Sequence, residues 1–132
     1  MNVCIREMGC REYEQVWEEM RLFTNTRQPN SNDEIWIVEH PAVFTLGRAG
    51  KEEHVRNADG LTIVRSDRGG QVTYHGPGQL VLYTLLDVKR LKIGPRELVR
   101  RIEQGVINYL GKISISGARK EKAPGVYVDG KK

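Results

Sequence analysis

The amino-acid sequence predicts one α/β (α+β) domain spanning residues 1–132. Two segments with helical hydrophobic periodicity lie far apart in the chain, and short apolar runs typical of strands precede, separate and follow them. The sequence contains no internal repeat and no low-complexity linker. A length of 132 residues suits one domain of ordinary size and leaves little room for two.

The first half of the chain predicts one helix set among strands. Apolar residues recur at steps of three and four from Arg11 to the region 24–27, with glutamates between them. The apolar face of this helix consists of Tyr13, Val16, Trp17, Met20 and Phe23. The predicted strands are 3–8, 34–39, 44–46, 61–64 and 79–87, with loops at 28–33 and 47–50 and an exposed polar segment at 51–60. The run 34–39 is apolar and β-branched, which predicts burial on both faces.

The second half predicts a longer helix and a last strand. Gly94-Pro95 is suited to a helix start, because proline loses nothing at the first helical position, and Gly111 is a plausible stop. The predicted apolar face consists of Leu98, Val99, Ile102, Val106, Tyr109 and Leu110. A short strand around 113–115, a charged loop at 119–122 and a strand at 126–128 complete the prediction.

The dipeptide Asp129-Gly130 predicts a tight two-residue hairpin turn. Only Lys131 and Lys132 follow it, so the returning strand is not in these 132 residues. Half a hairpin leaves an unpaired sheet edge, which proteins normally protect. We therefore expect the chain to be incomplete at its C-terminus.

Composition narrows the class of protein. Hydrophobic residues make up 39% of the chain, and no run of them approaches the ~20 residues that span a bilayer. The 21 Lys+Arg exceed the 17 Asp+Glu by a net charge of +4, but they are dispersed and form no concentrated basic stripe. We therefore expect neither a membrane nor nucleic acid as a partner. A modest positive face fits an acidic protein equally well.

The two cysteines, Cys4 and Cys10, form no Cys-x-x-Cys pair and have no accompanying histidine cluster. A zinc site is therefore not expected, and the pattern predicts no bound metal. Two isolated thiols are typical of reduced cysteines in the cytoplasm.

The segment 66–79 is the densest unusual stretch. Four glycines lie between positions 69 and 78, interleaved with Arg, Gln, Thr, Tyr and His side chains. Such a loop exposes backbone amides and polar groups, which predicts the wall of a binding pocket, whereas the simpler interpretation is a wide turn between two strands. The ordinary pKa of a histidine side chain suits His75 to proton transfer. The alternative is that His75 hydrogen-bonds the backbone and holds the shape of the loop. His40 and His54 are expected at a strand end or on the surface.

Three segments in the right order resemble one family. Residues 68–83, with Arg-Gly-Gly-Gln-Val-Thr-Tyr-His-Gly-Pro-Gly-Gln at their start, resemble the signature of the lipoyl(octanoyl) transferases of lipoate biosynthesis. Residues 33–47 are similar to the family's first core strand and the loop after it. Residues 123–132 are similar to the family's approach to its catalytic lysine, at the position of Lys132.

The resemblance implies a fold, an activity and a site. The fold is that of the biotin and lipoate protein ligases, a mixed sheet flanked by helices. The activity is transfer of an octanoyl group from octanoyl-acyl carrier protein to a lysine of lipoyl domains, such as those of 2-oxoacid dehydrogenases and glycine-cleavage H protein. It proceeds through a cysteine thioester without ATP, metal or another cofactor. The implied site residues are the catalytic Lys132 and the substrate-binding residues Arg68, Gly69, Gly70, Gln71, Val72, Thr73, Tyr74 and His75.

The sequence departs from the family at the nucleophile. The family's cysteine lies in a Gly-Cys-Ser/Thr-Phe-His segment beyond the lysine, and these 132 residues do not contain it. Cys4 and Cys10 match no family motif, so we expect that this polypeptide alone does not transfer acyl groups. Two alternatives stay open. One is an ATP-dependent lipoate or biotin ligase, and the other is a non-catalytic fragment that binds acyl chains or a partner domain.

Overall fold

The computed structural model describes residues 2–55 and 60–132. The chain forms two compact units, Met1–Leu86 and Asp87–Lys132. The first unit contains two three-stranded sheets and a helix, and the second contains a helix and a hairpin. The elements of the first unit are β1 (Val3–Cys10), α1 (Tyr13–Thr26), β2 (Asp33–Glu39), β3 (Val43–Leu46), β4 (Thr62–Arg65), β5 (Val72–His75) and β6 (Val81–Leu85).

The first sheet has the order β1-β2-β6, with β2 parallel to β1 and antiparallel to β6. Alternation along β2 places Trp36 and Val38 on one face, where both are almost fully buried against Val16 of α1. Ile35 and Ile37, on the opposite face, are only half-buried. The prediction of a strand buried on both faces is therefore confirmed for one face alone.

The second sheet has the order β4-β3-β5. Strand β3 is parallel to β4 and antiparallel to β5, and it pairs Thr45 with Thr73 and Val43 with His75. Directly opposed residues share a face of the sheet. Val43 on that face forms a buried cluster with Val64 and with Tyr13 from α1. Helix α1 thus contributes to the core under both sheets, as its hydrophobic face predicts.

The predicted helix and strands of the first unit are confirmed within a few residues, with one omission. The segment 66–79 is not a continuous loop, because residues Val72–His75 form β5. Valine, threonine and tyrosine favour strands, but the glycines on either side obscured the pattern. The strand expected over 79–87 is shorter, at Val81–Leu85. Of the polar segment 51–60, residues 51–54 are exposed and Glu52–His54 form one 3-10 turn, whereas 56–59 lie outside the described residues.

The second unit consists of α2 (Pro95–Lys112) followed by the antiparallel hairpin β7 (Ala118–Lys120) and β8 (Ala123–Tyr127). Pro95 occupies the first turn of α2 as predicted. The helix ends at Lys112, one residue past the predicted stop at Gly111. Two predictions are wrong here, since no strand forms at 113–115 and the charged segment 119–122 is half strand and half turn. Ser114 adopts a positive φ of 62°, which directs the chain away from the helix instead of into a strand.

The turn predicted at Asp129-Gly130 is confirmed. Both residues have positive φ, 49° and 78°, as a type I′ turn requires. Val128 and Lys131 close it with two backbone hydrogen bonds of 2.9 and 3.0 Å. Lys131 thereby forms one antiparallel bridge with Val128.

Helix α2 contacts β8, and its predicted apolar face is only partly covered. Leu98 and Leu110 of that face are half-buried, as is Ile107 beside them. Four other residues of the predicted face are more than two-fifths exposed, namely Val99, Ile102, Val106 and Tyr109. In the part of the chain that the structure describes, no helix combines the length and the apolar character needed to cross a bilayer.

Candidate functional site

The candidate site of the first unit lies on the inner face of the second sheet. Thr45 from β3 and Thr73 and His75 from β5 share this face, and the cluster around Tyr13 adjoins it. The loop 66–71 connects β4 to β5 at the edge of the site. The sequence brings these groups together because period-two alternation in two paired strands places every second side chain on one side.

Arg68 ties the loop to strand β3. Its Nη2 donates to the carbonyl oxygen and to the hydroxyl of Thr45, both at 2.8 Å, and to the carbonyl oxygen of Gln71 at 3.0 Å. Its Nε donates to the Thr45 hydroxyl at 3.1 Å, and its Nη1 to the carbonyl oxygen of Gly69 at 2.8 Å. Hydrogen bonds from a charged donor are among the stronger ones in proteins. The side chain of Arg68 therefore holds the loop 66–71, to which it belongs, in one conformation.

A second loop, 47–50, is hydrogen-bonded to the loop 66–71 through the backbone. The amides of Gly47, Arg48 and Ala49 donate to the carbonyl oxygens of Gln71, Arg68 and Gly70 at 2.7, 3.1 and 3.2 Å. Gly47 is buried, and a Cβ there would collide with the carbonyl of Gly70 and lie 2.8 Å from that of Gly69. The two loops approach each other this closely only because position 47 has no side chain. The bonds just described engage Gly69, Gly70 and Gln71 through their carbonyl oxygens.

His75 is held in one tautomer. Its Nδ1 lies 2.6 Å from Oε1 of Gln79, whose own amide donates to the Tyr74 carbonyl at 3.2 Å and so fixes which end is the oxygen. Nδ1 therefore carries the proton, and Nε2 of the neutral ring is an acceptor. Burial lowers the pKa of His75 below 6.5, and the nearby His40 and Arg68 lower it further against the opposing Gln79 bond. His75 is thus neutral at pH 7 and stacks on Tyr13, with centroids 5.9 Å apart.

His40 directly follows β2, at a strand end as expected, and it is fully buried. Its Nδ1 lies 2.6 Å from the Arg11 carbonyl and must donate to it, and its Nε2 then accepts from the Tyr83 hydroxyl at 2.9 Å. Burial raises the pKa of Tyr83, so its hydroxyl stays protonated as this bond requires. The rings of His40 and His75 lie 5.8 Å apart. His54, by contrast, is exposed as predicted.

A groove of about 480 Å³ lies beside Arg68. Trp17 borders it and donates its indole N–H to the Asp67 carboxylate at 2.9 Å, which connects α1 to the loop. The volume falls in the range of small-molecule sites, and the lining mixes apolar and charged groups. The lining residues are Tyr13, Trp17, Met20, Arg21, Thr24, Asn25, Asp67, Arg68 and Tyr83.

The structure brings together part of the predicted set. Arg68, Thr73 and His75 face the site, whereas Tyr74 points to the opposite face, is 46% exposed and packs on Phe44. Val72 shares that opposite face by alternation along β5. Sequence reasoning missed Tyr13, His40, Thr45 and Tyr83 as site residues. Their signal is weak, since Tyr13, Thr45 and Tyr83 lie in ordinary helix or strand patterns and His40 follows a strand.

Lys132 belongs to the second unit, where its side chain extends along Gly125 of β8. A Cβ on Gly125 would lie 2.6 Å from Cε of Lys132, and Gly125 has a φ of 139°. The lysine is exposed. Cys4 and Cys10 are free, exposed and located on β1. Among residues 2–55 and 60–132, no group of three or more His, Cys, Asp or Glu side chains can hold a metal ion.

The fold is shared with lipoate ligases of known structure. A lipoate-protein ligase A bound with ATP superposes with a TM-score of 0.75 and 15% identity, covering 99% of this chain and 55% of the ligase. The bi-partite lipoate protein ligase of Thermoplasma acidophilum gives a TM-score of 0.74 at 15% identity, covering 98% of this chain and 52% of that one. At this identity the likeness shows the fold alone. It confirms the predicted α/β fold of the biotin/lipoate ligase type.

The family model for the lipoyl protein ligase A/B catalytic domain matches residues 12–132. The chain belongs to this family. The octanoyltransferase of Pseudomonas putida (strain W619) is 60% identical over all of this chain, and that of Shewanella baltica (strain OS155) is 56% identical over 97% of it. The chain spans 62% and 59% of these two curated relatives.

Proposed function

We propose that the protein of which these residues form the acyl-binding part is an octanoyltransferase. It takes an octanoyl group from octanoyl-acyl carrier protein and gives it to a lysine of a lipoyl domain, as in 2-oxoacid dehydrogenases or glycine-cleavage H protein. The observation that carries the proposal is that residues 68–71, held by the hydrogen bonds of Arg68 and of the loop 47–50, lie beside a groove of about 480 Å³. The relatives at 56–60% identity, which are named octanoyltransferases, support it. The cytoplasm is the proposed location.

The groove of the first unit is proposed to hold the acyl tail. Each buried CH₂ contributes ~0.8 kcal/mol, so an eight-carbon chain is recognised mainly by apolar contact. Trp17 and Met20 supply such contact from α1. The amides of Gly69 and Gly70 are the proposed donors near the thioester carbonyl, since their carbonyl oxygens already accept bonds within the protein.

Lys132 is proposed as the catalytic lysine. The cysteine that forms the thioester is the family's nucleophile, which these 132 residues do not contain. An ammonium group near that cysteine favours its thiolate form, and the thiolate is the reactive nucleophile. That thiolate attacks the octanoyl thioester and the carrier thiol leaves. The amine of the lipoyl-domain lysine then attacks the enzyme thioester and releases the cysteine. No cofactor is proposed. We further propose that the two compact units work as one catalytic domain, since the family model extends over both.

The 132 residues by themselves are proposed to bind the acyl chain without turnover. Cys4 and Cys10 lie exposed on β1, and neither borders the groove. Incubation with octanoyl-acyl carrier protein, followed by intact mass spectrometry, is expected to show no stable octanoyl adduct. A thioester on either cysteine would overturn this part of the proposal.

A chimera tests the activity. This chain, joined to the part of the Pseudomonas putida octanoyltransferase that it does not cover, is expected to octanoylate an isolated lipoyl domain. Lys132→Met should abolish the transfer, while the matched Lys131→Met should retain it. A chimera that is folded but inactive, or one in which both variants behave alike, would contradict the assignment.

The ligase alternative makes a separate prediction. A lipoate or biotin ligase forms an adenylate, so it exchanges pyrophosphate with ATP in the presence of its acid. The octanoyltransferase assignment predicts no exchange by the chimera with octanoate, lipoate or biotin. Exchange above the level of a buffer control would favour the ligase.

A further inference from the structure

The second unit contains a groove that the proposed chemistry does not use. It lies between α2 and the hairpin β7–β8 and has a volume of about 650 Å³. Val99 and Pro124 contribute apolar surface to it. Four basic side chains also line it, namely Arg96, Arg100, Lys120 and Lys122.

The positive charge of this groove is not neutralised within the unit. In the described part of the chain, the acids of α2 pair elsewhere, since Glu97 accepts from Arg101 at 2.9 Å and Glu103 accepts from Arg119 at 3.0 Å. Glu103 is the single acid lining the groove, and its second oxygen accepts from the amide of Gly125 at 2.7 Å. The ammonium of Lys120 donates to the Gly130 carbonyl at 2.9 Å and lies over the Tyr127 ring. Arg96, Arg100 and Lys122 therefore remain as three cations beside one carboxylate that is already engaged twice.

The spacing of Arg96 and Arg100 destabilises helix α2 when nothing is bound to them. They are one turn apart on α2, and like charges at that spacing repel each other. Both side chains are exposed. Lys122 occupies the hairpin turn with a φ of 58°, an uncommon conformation for lysine. A bound anionic group would offset the repulsion between Arg96 and Arg100.

The groove has the layout of a protein interface, with apolar surface bordered by charge. An amphipathic acidic helix satisfies both features, since its apolar side covers Val99 and Pro124 while its carboxylates reach the free bases of the groove. The groove also continues toward the proposed catalytic lysine. Ala123 and Pro124 line it, and the next residue, Gly125, is the one along which Lys132 lies.

We propose that this groove docks an acidic helix of the protein that delivers the acyl thioester. The inference rests on the proposed function for the identity of that protein, but the docking itself depends only on charge and shape. Docking here places the delivered thioester on the hairpin that carries Lys132. Complementary charge at such a surface mainly accelerates encounter and selects the partner.

The test measures affinity of the 132-residue chain for an octanoyl-acyl carrier protein by titration calorimetry. The double variant Arg96→Glu/Arg100→Glu is expected to bind roughly tenfold more weakly near 0.15 M salt, with a larger difference at lower ionic strength. The matched control Lys51→Glu/Lys89→Glu makes the same change in net charge at exposed positions outside the groove and should bind like the parent. Thermal melts establish that all three chains are folded.

The outcomes separate the two proposals. An equal loss in both double variants, or no loss in either, overturns the docking site. Preference of the groove for a short DNA duplex over the carrier, abolished by Arg96→Glu/Arg100→Glu, overturns it as well. A carrier whose exposed carboxylates are changed to amides should lose the difference between parent and variant. Octanoyl-pantetheine without a carrier tests the acyl groove alone, so its failure to bind would contradict the proposed function and leave charge-dependent docking intact.

Discussion

At the scale of single residues, the site depends on how Arg68 is held. Thr45 accepts from two nitrogens of the guanidinium through its hydroxyl, and the residue is completely buried. Replacement by valine keeps the shape of the side chain and removes the acceptor. Nε of Arg68 then loses its acceptor in a partly buried place, while Nη2 keeps the carbonyl oxygens of Thr45 and Gln71. An unsatisfied charged donor costs more than a neutral hydrogen bond.

Thr45→Val is therefore expected to lower the free energy of unfolding by about 2 kcal/mol. Urea unfolding measures the change, and Thr62→Val on β4 is the control because Thr62 is exposed. The control makes the same threonine-to-valine change on the neighbouring strand, which is an edge strand of the same sheet. Equal shifts in the two variants would show that Arg68 does not depend on the Thr45 hydroxyl.

His75 makes the stability depend on pH in a predictable direction. Because burial lowers its pKa below 6.5, the unfolded chain takes up a proton at this residue before the folded chain does. Its full contribution is present above pH 6.5 and is lost as the pH falls from there to the folded pKa. We expect His75→Gln to lose less stability than the parent between pH 7.5 and 5.5, in thermal melts.

His54 provides the matched comparison, since its ring is exposed. His54→Gln should follow the parent over the same pH range. If His75→Gln and the parent have parallel profiles, the pKa of His75 is not lowered by folding.

The residue scale also shows what sequence reasoning can supply. Motif spacing selected Arg68 and His75, because glycines beside polar side chains are an unusual local pattern. His40 and Thr45 were not identified, since burial comes from tertiary packing and single residues in strands or at strand ends carry no mark of it. The tautomer of His75 depends on Gln79, four residues away, and only the fold of the chain brings them together.

At the scale of elements, the two loops 47–50 and 66–71 act as one unit. Gly47→Ala introduces a Cβ into the carbonyls of Gly69 and Gly70, and neither backbone can move without breaking the bonds between the loops. We expect a loss of about 1–3 kcal/mol in urea unfolding, as for overpacked interiors. Binding of octanoyl-pantetheine should weaken as well.

Gly105→Ala is the control for this prediction. Gly105 is exposed inside α2 with open space around its Cα, so alanine adds no contact and favours the helix. The expected change is a gain of about 0.5–1 kcal/mol. The same substitution should thus have opposite signs at the two positions, and a loss at both would contradict the loop–loop account.

Elements with strong periodicity were predictable, and those without it were not. Helix α1 and strand β2 have apolar residues at the right spacing and a proline or loop after them, so their positions followed from the pattern. Strand β7 contains Arg119 and Lys120, is exposed throughout and pairs on one side alone in the described structure. Such a strand owes its existence to the two-residue turn after it, and nothing in its own composition indicates a strand.

At the scale of the whole molecule, the described chain leaves apolar surface uncovered. Ile102, Val106 and Tyr109 on α2 are each more than two-fifths exposed, and Ile5 on β1 is 65% exposed. Exposed apolar side chains on either unit promote association. We expect the 132-residue chain to self-associate at high concentration in sedimentation velocity experiments.

Val106→Lys should shift this equilibrium toward the monomer, because it introduces a charge into the exposed stripe of α2. Ser116→Lys adds the same charge in an exposed loop of the same unit and should leave the association unchanged. A parent chain that sediments as a monomer at all concentrations would contradict the prediction, as would equal effects of the two lysines.

The class of fold was predictable from the order of helices and strands, and the family from three motifs in sequence. The sequence did not predict how much of each apolar face is covered. Periodicity shows which side of a helix is apolar, but it does not show what packs against that side. The lack of buried residues in α2 illustrates this limit.

The central claim is that the groove beside Arg68 holds a fatty acyl tail. Octanoyl-pantetheine with a photoreactive diazirine near the end of its chain tests this most directly, by crosslinking followed by peptide mass spectrometry. The account predicts saturable labelling of Trp17, Met20 and their neighbours in α1, reduced by Gly47→Ala and competed by unlabelled octanoyl-pantetheine. Labelling that does not saturate, or that falls mainly on residues outside the groove, would contradict it.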